Sequence, residues 1–292
     1  MRKGSVMSKK GFTLIEILGV IAIIEMLLAI LIPALQIAKQ QASGAVCLSN
    51  LAGLAKAWHI YADGNNSRIV GGTTSLNPYD EWSPGKPAYA WVCSPQTKTG
   101  QDLSGVGSTV DEELIGVRKG LLYPYVEADK VYHCPGDRRF TDPPAYDSNN
   151  DGVPDYTGDG GYRTYSIAGG MFGVNPNGSE WWKIIPHTSL AEIKSPGDKY
   201  VFLEEMDGRS YNMGSWVVWP LELGIEEWID PLAIWHNEKS TLGYADGHAE
   251  KHIWRDQVTI DMAESQSFYV LAPDSEDLRY MQKNYAYERI FP

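Results

Sequence analysis

The run Asp147-Ser148-Asn149-Asn150-Asp151-Gly152-Val153-Pro154-Asp155 places oxygen donors at alternate positions around a glycine. A short loop wraps a hard cation in this way, with side-chain oxygens at the first, third and fifth places and a backbone carbonyl at the seventh. Asp147, Asn149, Asp151 and the carbonyl of Val153 would fill those places, Asp155 would bind directly or through water, and Asp159 is a later donor. The match to a helix-flanked EF-hand stops there. Gly158 stands where that motif needs a bidentate glutamate, and Pro143, Pro144, Gly160 and Gly161 exclude helices on either side. Repulsion among Asp147, Asp151, Asp155 and Asp159 opposes ordering without a cation. The sequence therefore predicts calcium, bound in the weak extracellular range of roughly 10⁻⁴ to 10⁻³ M.

Other groups carry weaker chemistry. His248, Glu250 and His252 alternate along an expected strand and so share one face. Zinc there would need further convergent ligands and support behind them, and a polar outer face is the expectation. Cys47, Cys93 and Cys134 allow three single disulfides, each leaving one thiol free, and spacing does not choose among them. No Cys-x-x-Cys pair favours a metal. The neighbouring acids Glu204-Glu205 and Glu226-Glu227 would point to opposite faces of a strand, which is a poor start for glycoside hydrolysis. Without a phosphate loop, nucleophile elbow or Ser-His-Asp arrangement, the chain reads as a non-enzyme. The 10 Trp and 17 Tyr either fill a sheet core or form a platform for sugars or a protein surface, and the core is the expectation.

The elements that must hold these groups begin with a long helix. An apolar run extends from Phe12 to Ile32, near the roughly 20 residues that a bilayer requires. Beyond Pro33, where a kink is expected, Leu35, Ala38, Ala42, Ala45, Leu48, Leu51, Ala55 and Trp58 recur mostly at steps of three and four. This predicts a transmembrane helix over 12–32 and an amphipathic helix over 33–65, stopped by Asp63-Gly64-Asn65-Asn66. Residues 66–165 are turn-rich, with a short helix near 113–125. Strands are expected over 199–205, 215–219, 240–244 and 248–254, the last two joined at Asp246-Gly247. The fold class is α+β, a long N-terminal helix on an antiparallel sheet with turn-rich insertions, and residues 66–292 form the globular part. The net charge of −12 disfavours a nucleic-acid partner, because phosphate binding needs clustered Lys and Arg.

Glu16 is the early charge in the apolar run, and Arg2, Lys3, Lys9 and Lys10 precede it. Basic residues on that side predict a cytoplasmic N-terminus and an exported C-terminal part. The words Gly11-Phe12-Thr13-Leu14-Ile15-Glu16 resemble the processing site of type IV prepilins and type II secretion pseudopilins. The resemblance implies cleavage after Gly11, whether translation starts at Met1 or Met7. It also implies methylation of Phe12 as the new N-terminus, and a Glu16 that meets the amine of an adjoining subunit during filament assembly. Phe12 and Glu16 are i,i+4 neighbours, which brings that amine and carboxylate to one depth. Glu25 departs from the family pattern and lies on the opposite face from Glu16.

His236, nine residues, then Asp246-Gly247 is similar to the C-terminal H-X9-DG domain of large prepilin-like proteins, spanning about 236–254. The segments Cys47-Leu48-Ser49-Asn50-Leu51 and Tyr132-His133-Cys134-Pro135-Gly136-Asp137 also look like members of that group. Asp-Gly is expected to make the turn while His236 packs or hydrogen-bonds nearby. Together the resemblances imply a leader over 1–11 and an inner-membrane, single-pass subunit of a type II secretion or type IV pilus-like filament. Its partners would be the prepilin peptidase, other pilin-like subunits, and an assembly platform with its ATPase. Some secretion pseudopilins bind calcium in their globular domains, in line with the 147–159 loop. The second reading is a membrane-anchored surface module that captures carbohydrate or protein through its aromatic residues.

Overall fold

A computed structural model describes residues 13–83, 85–103, 107–139, 141, 161–173, 183–207, 212 and 214–290. Helix α1 (Leu14–Gly64) is one unbroken helix that continues through Pro33. Thr13 caps its start: the Glu16 amide donates to Thr13 Oγ1 at 3.4 Å, and the Glu16 carboxylate accepts from the Thr13 amide at 2.8 Å. This is a capping box, which satisfies amides that a helix start leaves without partners. At its far end the Asn65 side chain donates to Tyr61 O at 2.7 Å.

Among the described residues, nothing covers the first half of α1. Residues 13–39 are all exposed, including Leu14, Ile15, Ile24 and Leu35. Residues 14–35 measure about 33 Å at 1.5 Å per residue, long and apolar enough to cross a hydrocarbon layer of about 30 Å.

The second half lies on a four-stranded antiparallel sheet ordered β1 (Tyr165–Ile167), β2 (Tyr200–Glu204), β3 (Lys239–Tyr244) and β4 (Ala249–Ile253). Its buried face is Ser43, Gly44, Cys47, Asn50, Leu51, Leu54, Ala55, Ala57, Trp58, Tyr61 and Ala62. That stripe is turned from the expected one, since Leu35, Ala42 and Ala45 are exposed. Two polar residues displaced the reading. Asn50 is buried because its Nδ2 donates to His133 O at 3.1 Å and to the Tyr165 hydroxyl at 3.3 Å, and Ser43 is buried against His236.

The β3–β4 hairpin forms as expected, with Gly247 at φ +93° in the left-handed region that favours glycine. The strand expected over 215–219 does not form. Trp216 makes only an isolated bridge to Ala168. The Val217 amide, which a ladder would use, is taken by Asp230 Oδ2 at 2.7 Å, and Pro220 follows. The helix expected near 113–125 divides into α2 (Val110–Lys119) and a single turn, Tyr123–Val126. Gly120 separates them, packed so close that a Cβ would collide with Trp91 O. Later in the chain, α3 (Gln257–Ser265) and α4 (Glu276–Asn284) follow the hairpin. Trp58, Trp91, Trp216, Trp228 and Trp254 are among the largest fully buried side chains, whereas Trp219 and Trp235 are half-buried.

Candidate functional site

Four buried side chains from distant parts of the chain meet where α1 crosses the sheet: Cys47, Cys134, Glu204 and His236. Cys47 comes from α1, Cys134 from the loop after a short 3-10 turn (Asp129–Tyr132), Glu204 from the end of β2, and His236 from the segment entering β3. One ligand atom from each lies within 4.8 Å of every other. His236 Nε2 is 2.8 Å from Glu204 Oε1 and 3.5 Å from Cys134 Sγ. Gly44 permits the crossing, since a Cβ there would stand 3.1 Å from the His236 ring.

Three of the four members are oriented from behind. Ser43 Oγ lies 2.9 Å from Gln40 O and 3.1 Å from His236 Nδ1, so it holds the imidazole ring from behind. The Thr241 amide donates to Glu204 Oε2 at 2.9 Å, and the Gly136 amide donates to Cys134 Sγ at 3.2 Å. The Cys134 thiol, close to Cys47, holds Cys47 below the ordinary thiol range against the push of burial. Burial, then Cys47 itself, pushes Cys134 up. For His236 burial pulls the pKa down, but hydrogen bonding to Cys47 and Glu204 outweighs it and raises the value to about 10. The cluster thus combines soft and hard donors around one point.

The cysteines are buried thiols, and none of the three possible disulfides forms. All three cysteines are free and buried, but Cys47 and Cys134 sit side by side with two further donors, while Cys93 stands apart with its pKa raised to about 12 by burial. Glu204 was read only as half of an acid pair. Its neighbour Glu205 hydrogen-bonds Ser166 Oγ, so the two acids do have separate partners.

The two ends of the 236–254 motif do different work. His236 joins the cluster, whereas Asp246 stays at the exposed turn, its Oδ1 accepting from the His248 amide at 3.1 Å. His248, Glu250 and His252 do not converge. His248 stacks on Tyr244, Glu250 accepts from the Tyr244 hydroxyl at 2.6 Å, and His252 stacks on Tyr280. Glu16 and Glu25 are exposed on the bare half of α1. Gly11, Phe12 and the calcium residues Asp147, Asn149, Asp151, Val153, Asp155 and Asp159 lie outside the described residues.

A second buried polar system adjoins the cluster through Thr164, whose hydroxyl accepts from the Cys134 amide and donates to Asp137 Oδ2, both at 2.9 Å. Asp137 is bound by Arg139, and Arg163 lies over Trp91 with 5.1 Å to the ring centroid. Glu113 on α2 belongs to the same region. It accepts from the Tyr162 amide at 2.7 Å, and its Oε1 has no partner among the described residues.

Burial raises the Glu113 pKa to about 8. A carboxyl whose folded pKa exceeds its unfolded value stabilises the fold most when both states are protonated, and loses that contribution as pH rises from the ordinary carboxyl range toward about 8. Glu113→Gln should remove this part of the pH dependence. Between pH 5 and pH 8 its unfolding free energy, and with it its melting temperature, should fall less than that of the natural chain, the free-energy gap approaching a few kcal/mol at about 1.4 kcal/mol per pKa unit. Parallel melting curves for the two proteins would refute the assignment.

Comparison with protein-family models, curated proteins and solved structures finds no match to this chain.

Proposed function

We propose that the chain is a non-enzymatic, pseudopilin-like subunit of a type II secretion or type IV pilus-like filament. The observation that carries the reading is a single helix with two environments. Its first half is bare and apolar with Glu16 at its start, and its second half is laid across an antiparallel sheet. A core helix would bury the first half, and an ordinary anchor would use Glu16 only to cap its own first turn. In this reading residues 1–11 are removed, the helix holds the subunit in the inner membrane with its N-terminus cytoplasmic, and residues 66–292 are exported. The prepilin peptidase, other pilin-like subunits, and the assembly platform with its ATPase are the partners. Calcium in the 147–159 loop belongs to the same proposal and rests on the spacing of its oxygen donors.

The capture-module reading draws less support, because Trp216, Trp228 and Trp254 fill the core. Mass spectrometry of the protein from cells with an active prepilin peptidase tests the proposal. The expected chain begins at a methylated Phe12. A chain that retains residues 1–11 with Phe12 unmodified overturns it.

A further inference from the structure

We infer that Cys47, Cys134, Glu204 and His236 form a structural zinc site that ties α1 to the sheet. The assignment is independent of the filament reading.

The first argument is geometric. Ser43 Oγ engages His236 Nδ1 at 3.1 Å, and Nε2 is the ring atom that faces the cluster. Nε2 and Glu204 Oε1 are 2.8 Å apart. A bare imidazole nitrogen and a carboxylate oxygen are both acceptors, so that separation requires a proton or a metal cation between them. Cys134 Sγ, 3.5 Å from the same nitrogen, and the adjacent Cys47 add two more electron-rich atoms around one point.

The second argument is the donor set. Two thiols, one imidazole and one carboxylate match tetrahedral zinc, whose bonds of about 2.3 Å to sulfur and about 2.0–2.2 Å to nitrogen and oxygen put the donors roughly 3.3–3.8 Å apart. Opening the His236–Glu204 contact by about half an ångström reaches that range. Thiolates disfavour calcium and magnesium. Zinc entry would release the thiol protons of Cys47 and Cys134 and the proton between His236 Nε2 and Glu204 Oε1, leaving two thiolates, one carboxylate and a neutral imidazole around the ion.

The third argument is support and access. The contacts from Ser43, Thr241 and Gly136 are the outer partners that fix metal ligands. A cleft of about 530 Å³, lined in part by Ser43, Pro135, Gly136, Trp235 and Asn237, lies beside the cluster, against residues next in sequence to Cys134 and His236. With four protein ligands and no open position, the ion would be structural rather than catalytic.

The test uses the full chain purified in detergent without chelator. Elemental analysis should find one zinc per chain, retained in Cys93→Ser and lost in Cys134→Ser and His236→Gln. Ser43→Ala should keep the fold and weaken zinc binding by about 10–100-fold. Should the ligand variants fail to fold, cobalt exchanged into the natural chain gives the answer, with a thiolate-to-cobalt charge-transfer band and the visible bands of a tetrahedral site as the expected spectrum. A metal-free chain carrying a Cys47–Cys134 disulfide overturns the proposal. So does a different metal at one per chain, or cobalt bands without thiolate character.

Discussion

Glu16→Ala should abolish entry of the subunit into filaments while leaving its membrane retention and its exported domain intact. Glu16 is exposed and its hydrogen bonds among the described residues are to Thr13, so folding of the sheet domain does not depend on it. An ionised carboxylate inside hydrocarbon costs about 2.5–3.5 kcal/mol on insertion scales. A lone anchor gains from losing that charge. A subunit that must meet the cationic amine of a neighbour loses its assembly contact.

The capping box offers a rival account of the same residue, and it makes Glu16→Gln the decisive companion. Thr13 donates to Glu16 from its amide and, at 2.7 Å, from its hydroxyl, and a glutamine in this position preserves such a box. Loss of a cap costs about 0.5–2 kcal/mol at one helix end, too little to stop polymerisation of an otherwise folded subunit. Glu16→Gln should therefore fail to assemble as completely as Glu16→Ala. Filament counts that are normal for Glu16→Gln and absent for Glu16→Ala would assign the residue to capping alone. Normal counts for both would remove Glu16 from assembly.

Thr13-x-x-Glu16 is itself legible as a capping signature, yet the rarity of an acid in an apolar run drew the reading toward an intermolecular partner. The rest of the fold divides along similar lines. The long helix and the Asp246-Gly247 hairpin were readable because each rests on local chemistry, apolar length in one case and a left-handed glycine in the other. The rotation of the buried stripe was not, because Ser43 and Asn50 are polar in sequence and gain their partners from residues 133, 165 and 236. The 215–219 segment has strand composition, but its backbone donor is captured by Asp230 from outside any ladder. The four-residue cluster was the hardest to see. His236 and the cysteines were singled out, but nothing in their spacing joins them to Glu204, and only the crossing of α1 over the sheet does so.

Arg139→Met should be the most destabilising single change in the globular part. The guanidinium is buried and spans Asp137, Asn212 and Arg163: it donates to Asp137 Oδ2 at 2.8 Å, to Asn212 Oδ1 at 2.6 Å and to Arg163 O at 2.9 Å. Burial opposes its charge, but Asp137 and other acids more than compensate and hold its pKa up. Methionine would fill much of the volume and leave the buried Asp137 carboxylate without its counter-charge. Breaking a buried pair from one side costs about 3–5 kcal/mol, a large share of the 5–15 kcal/mol that typically holds a domain together. For a globular part of this size the melting temperature should drop on the order of 10 °C. The double variant Asp137→Asn with Arg139→Met should recover part of that loss, because no charge is then stranded and the Thr164 hydroxyl can still donate to the asparagine oxygen. Arg139→Lys should rescue poorly, since an ammonium lacks the planar fork that reaches all three partners. A loss below about 1 kcal/mol for Arg139→Met, within the range of surface ion pairs, would show that the pair does not hold the loop after Cys134 in place.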